Sequence, residues 1–338
     1  MNHSKYDTIS QDMSSEDVAL YSLASLVFTL VNNSCVSTGV GLFGMIANAI
    51  NMVVFYRQGL SSSINISFFF ISISDTFTII FIQWANICFN PYIDNTRAPL
   101  FYAEFYYITG GWPSGLCCRI TLYITVYVTT ERCLCILFPL KIKNLITPTR
   151  TKMIIAFICI FNTATLAPEY SSIYLDWYFN KVRNETILGV AFRSNRDQTQ
   201  GVTWLLHVVL TVFGLFSVIV LTSVLVIHLR RQTKWRMKNS VENKLRPTLT
   251  SRDRKSVVLV AAVATFIVIS YIPLTSVSLV TVFVSEFYIG GKLFQIFRDT
   301  WAMIMLVEMT NASANIFIYY RMLSKYRQTF REFLCKKQ

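Results

Sequence analysis

The chain has 338 residues, 53% of them hydrophobic and 14% charged, with 31 Lys and Arg against 18 Asp and Glu. Soluble domains carry about 25% charged residues, so this chain lacks the polar surface to cover itself, which excludes an ordinary cytosolic enzyme. A net charge of +13 suits a nucleic-acid binder only on a solvated face, and the apolar excess argues against one.

Residues 1–31 read as an extracellular N-terminal segment. Only Lys5 precedes the apolar stretch Val18–Val31, and no small-residue cleavage site follows it. No cleavable signal peptide is expected there; the stretch either lengthens the first helix or lies on the outer membrane surface. Apolar runs then fall at 32–56, 65–90, 105–130, 152–173, 202–229, 256–284 and 293–320. Each is near the roughly 20 residues that cross about 30 Å of hydrocarbon. The sixth is the cleanest, with no charged residue from Val257 to Ser285. The alternating short segments of a membrane barrel are absent. The expected fold is an all-α membrane protein, a seven-transmembrane helix bundle over 32–320. A short amphipathic cytoplasmic helix and tail follow at 321–338.

One set of connections, with the C-terminal tail, holds 22 basic residues and four acids; the opposite side holds 8 basic residues and 12 acids. Basic residues mark the cytoplasmic side, so the N-terminus is expected outside and the C-terminus inside, in the plasma membrane. The positive charge is then a cytoplasmic asymmetry that attracts anionic lipid. Cys35 and Cys88 approach the oxidising side, but nothing in the sequence fixes their separation. Cys335 follows the basic stretch from Arg321 to Leu334. It is either a palmitoylation anchor or a free thiol.

Ionisable residues in mid-membrane are costly, so each asks for a partner or a role. Asp75 falls in span two, Arg119 in span three, Glu308 in span seven, and Glu131–Arg132 ends span three. Asp75 has Thr121, Asn311 and Asn315 at comparable depth. The four make either a site for a hard monovalent cation or a hydrogen-bonded knot. Arg119 and Glu308 either pair or stay free for a charged ligand. No His, Cys, Asp and Glu set has metal-ligand spacing, and no phosphate loop or nucleophile with its base is present. No enzyme, no metal beyond a sodium ion and no other cofactor is expected.

With these residues placed, the chain from about Gly44 to Cys335 resembles a rhodopsin-like G-protein-coupled receptor. Asn48 matches the first-helix Asn and Asp75 the second-helix Asp. Glu131-Arg132-Cys133 matches the signature that ends the third helix, with Pro139-Leu140 after it. Asp253 lies where a resting receptor pairs the signature Arg, counted back from the sixth-helix Pro273. Asn315-Ile316-Phe317-Ile318-Tyr319 matches the seventh-helix signature. The departures are Cys133 for Tyr, Ile316 for Pro and Tyr271 for Trp. The disulfide from helix three to the second outer loop is missing too. Tyr107 stands 25 residues before Arg132, and the loop from Ser171 to Gly201 has no cysteine. That leaves the outer face to packing and salt bridges. The phrase from Thr129 to Cys135 is similar to invertebrate candidate chemosensory receptors, themselves similar to neuropeptide receptors.

The resemblance implies a two-state switch. At rest Arg132 bonds Glu131 and Asp253; an agonist swings helix six outward about Pro273. Arg132, Tyr319, Pro139 and Leu140 then meet a heterotrimeric G protein. It also implies a sodium pocket at Asp75, Thr121, Asn311 and Asn315. Its ligand pocket would use Ser114, Cys118 and Arg119, facing Tyr271, Thr275, Trp301, Met305 and Glu308. Ser114 stands where amine receptors carry an Asp, which argues against a biogenic amine; Met309 replaces the retinal Lys of opsins. The ligand is an extracellular small molecule or a peptide clasped by the second outer loop. The sequons at Asn184 and Asn2 are the expected glycosylation sites. The rival from another class is a channel or transporter with Asp75, Arg119 and Glu308 on its path.

Overall fold

The computed structural model describes residues 23–94, 98–138, 146–180, 184–238, 251–284, 286–287 and 292–335. Seven helices in it are long and apolar enough to cross a membrane. They are α1 (Leu23–Gln58), α2 (Ser63–Cys88), α3 (Tyr102–Leu137) and α4 (Pro148–Ser172), then α5 (Arg196–Lys238), α6 (Ser251–Phe283) and α7 (Phe294–Met322). A short helix, α8 (Ser324–Cys335), follows α7. The protein is a multi-pass membrane bundle with the expected seven spans.

The helices depart from their apolar runs for local reasons. Leu23–Val31, the described part of the first apolar stretch, is helical and continuous with the run from residue 32, so it lengthens α1. Pro113 follows a wide π-turn at Tyr107–Gly111 in α3. A proline brings no N–H to the ladder, and the widened turn accommodates the missing bond. α5 has 43 residues, roughly 65 Å at 1.5 Å per residue, so it outruns the hydrocarbon. Pro273 sits inside α6.

The bundle is inverted relative to a soluble protein. Phe157, Ile160, Phe213 and Phe216 stand exposed on α4 and α5, whereas Asn48, Asp75, Arg119 and Glu308 are buried. Hydrocarbon asks for an apolar outside, and the polar residues are left to join helices to one another. α3 runs through the middle, against α2, α4, α5 and α6. α1 lies on α2 and α7. Its close approach depends on Gly44, where an added Cβ would lie 2.1 Å from Ser313 Oγ and 2.7 Å from Ile79 Cδ1.

The connection between α4 and α5 is a β-hairpin, where the sequence reading had only a loop. β1 (Ile173–Asn180) pairs antiparallel with β2 (Glu185–Phe192), from Ile173 opposite Phe192 to Asn180 opposite Glu185. Asn184 turns the chain at φ 52°, a left-handed conformation that Asn tolerates better than most residues. Leu100, just before α3, adds a parallel bridge to Leu188 on β2. This is the hairpin end of the bundle. The opposite, basic end carries Arg57, Arg132 and α8.

At the basic end α8 is tied back to the bundle. Tyr326 is fully buried and donates to Asn51 Oδ1; Arg57 lies 4.9 Å over the Phe333 ring. The side chain of Cys335 lies outside the described residues, as do Asn2, Pro139 and Leu140.

Gly44→Val is expected to destabilise the protein by about 1–3 kcal/mol through overpacking of the α1–α7 contact. Gly39→Ala, whose Cβ would meet nothing within 4 Å, should leave the midpoint unchanged or slightly raised. Thermal unfolding of the full chain in detergent reads both.

Candidate ligand cavity and switch residues

No disulfide links α3 to the hairpin, so other contacts join them. Tyr107, at the position without its cysteine, donates from its hydroxyl to Glu169 Oε1 at 2.6 Å. Arg196 donates to the same oxygen at 2.7 Å and to Ser172 Oγ at 3.2 Å. Burial weakens the Arg196 charge, but its bonds to Glu169 and Tyr107 outweigh this and hold its pKa above the usual value. Three helices meet on one buried carboxylate. Further along, Glu104 Oε2 accepts from the N–H of Val190 at 2.9 Å, and Leu188 exchanges backbone bonds with Pro99 and Phe101. Tyr170 donates to Ile108 O at 2.6 Å. Cys35 and Cys88 are both free thiols, so no bridge joins them either.

Beneath the hairpin the helices line a partly open cavity of about 290 Å³. That lies near the low end of small-molecule sites, roughly 300–1,000 Å³. β2 contributes Val190 and Phe192 to its wall, and α5 contributes Trp204 and His207. Of the expected ligand residues, Ser114, Trp301, Met305 and Glu308 line it.

The other four lie elsewhere. Tyr271 donates to Cys118 O at 2.5 Å, and both side chains are buried; the Cys118 thiol donates to Thr78 Oγ1 at 3.9 Å. Thr275 bonds Tyr271 O on its own helix. Arg119 turns away from the cavity and from Glu308. Its Nε donates to Asn162 Oδ1 at 2.8 Å, Nη1 lies 2.9 Å from His207 Nδ1, and Nη2 donates to Thr165 Oγ1 at 2.6 Å. The pairing of Arg119 with Glu308 is therefore not formed. A guanidinium has no acceptor, so His207 Nδ1 must accept and the ring carries its proton on Nε2. Sequence reasoning passed over His207 and Glu169. Each is a lone residue in an apolar run, and its partner is 88 or 27 residues away.

Asp75 lies deeper, buried between three helices. Oδ1 accepts from Thr121 Oγ1 at 2.9 Å and Oδ2 from Asn315 Nδ2 at 2.8 Å. Asn311 is buried as well. Among the described residues no Lys or Arg forms an ion pair with Asp75. One uncompensated carboxylate beside a hydroxyl and an amide keeps oxygen lone pairs that fit a hard monovalent cation. No group of three or more His, Cys, Asp and Glu among the described residues could hold another metal.

At the basic end Arg132 pairs with Glu131, which also accepts from Ser63. Thr151 donates to Ser63 at 2.9 Å, drawing α4 into the cluster. Cys133, in the place of the signature Tyr, donates to Leu221 O at 3.3 Å and ties α3 to α5. The side chain of Asp253 lies outside the described residues. Tyr319 is fully buried, its ring 5.1 Å from Phe55 and 4.9 Å from Phe68, and its hydroxyl has no partner.

Seven helices with a cavity under a hairpin at one end and an Arg–Glu pair at the other describe a membrane receptor. A family model described as serpentine type 7TM GPCR chemoreceptor Srw matches residues 36–337, and the chain belongs to that family. No curated protein matches it.

Glu169→Ala should cost about 3–5 kcal/mol, because Arg196 keeps a part-buried charge with no counterion. Glu169→Gln retains an acceptor and should lose less. The two midpoints, measured on the full-length protein in detergent, check the order.

Proposed function

We propose that the chain is a chemosensory receptor of rhodopsin-like type in the plasma membrane. It takes a small extracellular solute into the cavity and activates a heterotrimeric G protein at the basic end. The observation that carries this reading is the pairing of a small, partly open cavity at the hairpin end with the Glu131–Arg132 pair at the other. The excess of basic residues supports a cytoplasmic assignment for the Arg132 end, with the N-terminus and hairpin outside. Asn184 is exposed on the hairpin turn, which suits glycosylation on that side.

The cavity volume favours a solute over a peptide. A neuropeptide has to lie across an open mouth, and β2 occupies part of that space with Val190 and Phe192. The buried Tyr319 and the Arg132–Glu131 pair suit the resting state. Activation would free Arg132, open α6 about Pro273 and expose Tyr319 to the G protein. Moving such an equilibrium from 1:99 to 99:1 takes about 5.5 kcal/mol of differential ligand affinity. A sodium ion held by Asp75, Thr121, Asn311 and Asn315 would stabilise the resting state by neutralising Asp75.

Agonist-driven nucleotide exchange on a co-expressed G protein tests the reading, with waterborne solutes in one panel and amidated short peptides in the other. A response to solutes that Arg132→Ala abolishes is expected; a response to peptides alone would replace the chemosensory reading with a neuropeptide one. Asp75→Asn should remove any sodium dependence of agonist affinity, measured by titrating agonist in sodium and in potassium buffers. Unchanged dependence would rule out the ion site.

A further inference from the structure

We infer that the cavity binds a small organic cation, with its charge on Glu308 and its apolar body among the cavity's aromatic rings. The inference rests on the cavity being the ligand site and names the class of ligand.

Glu308 lines the cavity and is 7% exposed. The Cys118 thiol beside its carboxylate donates to Thr78 Oγ1 at 3.9 Å, and a thiol is a weak donor. The ion pairs among the described residues use Glu131, Glu169, Glu286 and Asp299, and none uses Glu308. A buried carboxylate without a cation is costly, and intramembrane acids in that position serve a site.

The bases nearby are already taken. Arg196 is held by Glu169, and Arg298 by Asp299 at 3.0 Å and by Ser25. Arg119 is spent on Asn162, Thr165 and His207. His207 accepts at Nδ1 and so brings no charge to the cavity wall. Ser114 donates to Gly111 O and brings none from α3. The charge left to the ligand is negative: Glu104 of α3 also lines the cavity, with Oε2 taken up by the Val190 N–H, and Glu308 adds a second carboxylate from α7 rather than from the α3 position that amine receptors use.

The walls suit the same ligand. Trp301 lines the cavity with its ring 6.1 Å from Phe297 and 6.4 Å from Trp204. Aromatic faces attract a cation within about 6 Å, more strongly where water is excluded. The indole N–H groups of Trp112 and Trp301 are buried without partners. They offer donors to a hydroxyl or carbonyl carried beside the cation.

The test is binding to the full-length receptor in detergent, read by thermal shift, with probes that differ only in charge. Choline is set against its neutral carbon isostere dimethylbutanol, and phenethylamine against propylbenzene. The cations should stabilise the receptor and the neutral isosteres should not. Glu308→Gln should weaken the cations roughly a hundredfold and erase the preference for charge. If that variant does not fold, Trp301→Leu should weaken the cations roughly tenfold and leave the neutral isosteres unchanged. Neutral isosteres binding as tightly as cations, a charge preference that survives Glu308→Gln, or no binding by either cation would overturn the inference. The readout needs no G protein, so failed coupling leaves it standing. Nucleotide exchange driven by a neutral solute would instead keep the receptor reading and sink the cation.

Discussion

The carboxylate of Glu169 holds the hairpin end together without a covalent bond. It lies at the end of α4, and it takes Tyr107 from α3 and Arg196 from the start of α5. A disulfide would have fixed α3 to the hairpin whatever the surroundings. An ion pair works only while water stays out, since a surface pair contributes little and a desolvated one broken on one side costs several kcal/mol. The hairpin supplies that exclusion, and the pair in turn fixes where β1 begins and where α5 enters. The shape of the cavity follows from both.

The membrane imposes one problem on Asp75, Arg119 and Glu308, and the fold answers it three ways. Arg119 is dissolved in neutral acceptors, which spread its charge over Asn162, Thr165 and His207. Asp75 takes donors from α3 and α7, one on each oxygen. Glu308 has the Cys118 thiol beside it, and that thiol donates to Thr78. The first arrangement uses up the hydrogen-bonding capacity of its group, as a structural role requires, whereas the second keeps a further lone pair on each oxygen. The third leaves most of it unused, at the wall of a cavity. That difference in satisfaction, and not burial as such, separates a joint from a binding group.

The seven spans were legible because hydrocarbon thickness writes itself into run length, and composition alone located each one. The Asp75–Thr121–Asn315 contacts were legible too, since comparable depth on neighbouring helices is enough to bring short polar side chains together. The hairpin was missed, although Ile173–Asn180 and Glu185–Phe192 are rich in aromatic and β-branched residues on either side of an Asn turn. Charged residues scattered through that stretch masked its period. The orientation of Arg119 was not legible at all. Which side of α3 faces the cavity depends on helix rotation, and a π-turn at Tyr107–Gly111 shifts that rotation in a way no regular helical period anticipates.

α7 carries the connection between the two ends. Glu308, Asn311, Asn315 and Tyr319 recur at intervals of three and four, so they share one face of the helix. That face runs from the cavity wall past Asp75 to the ring cluster of Phe55 and Phe68. Replacement of the signature Pro by Ile316 restores a backbone N–H and removes a cause of kinking. Asn48 donates to Ala312 O at 2.9 Å and fastens the middle of the helix to α1. A stiff α7 pinned at its centre does not bend at Ile316. A force applied at Glu308 would then reach Tyr319 by tilt or rotation of the whole helix, with the Asp75–Asn315 bond lying close to the pivot. A contact close to a pivot is displaced least, so the Asp75–Asn315 bond would survive a tilt of α7 that separates contacts at either end of the helix.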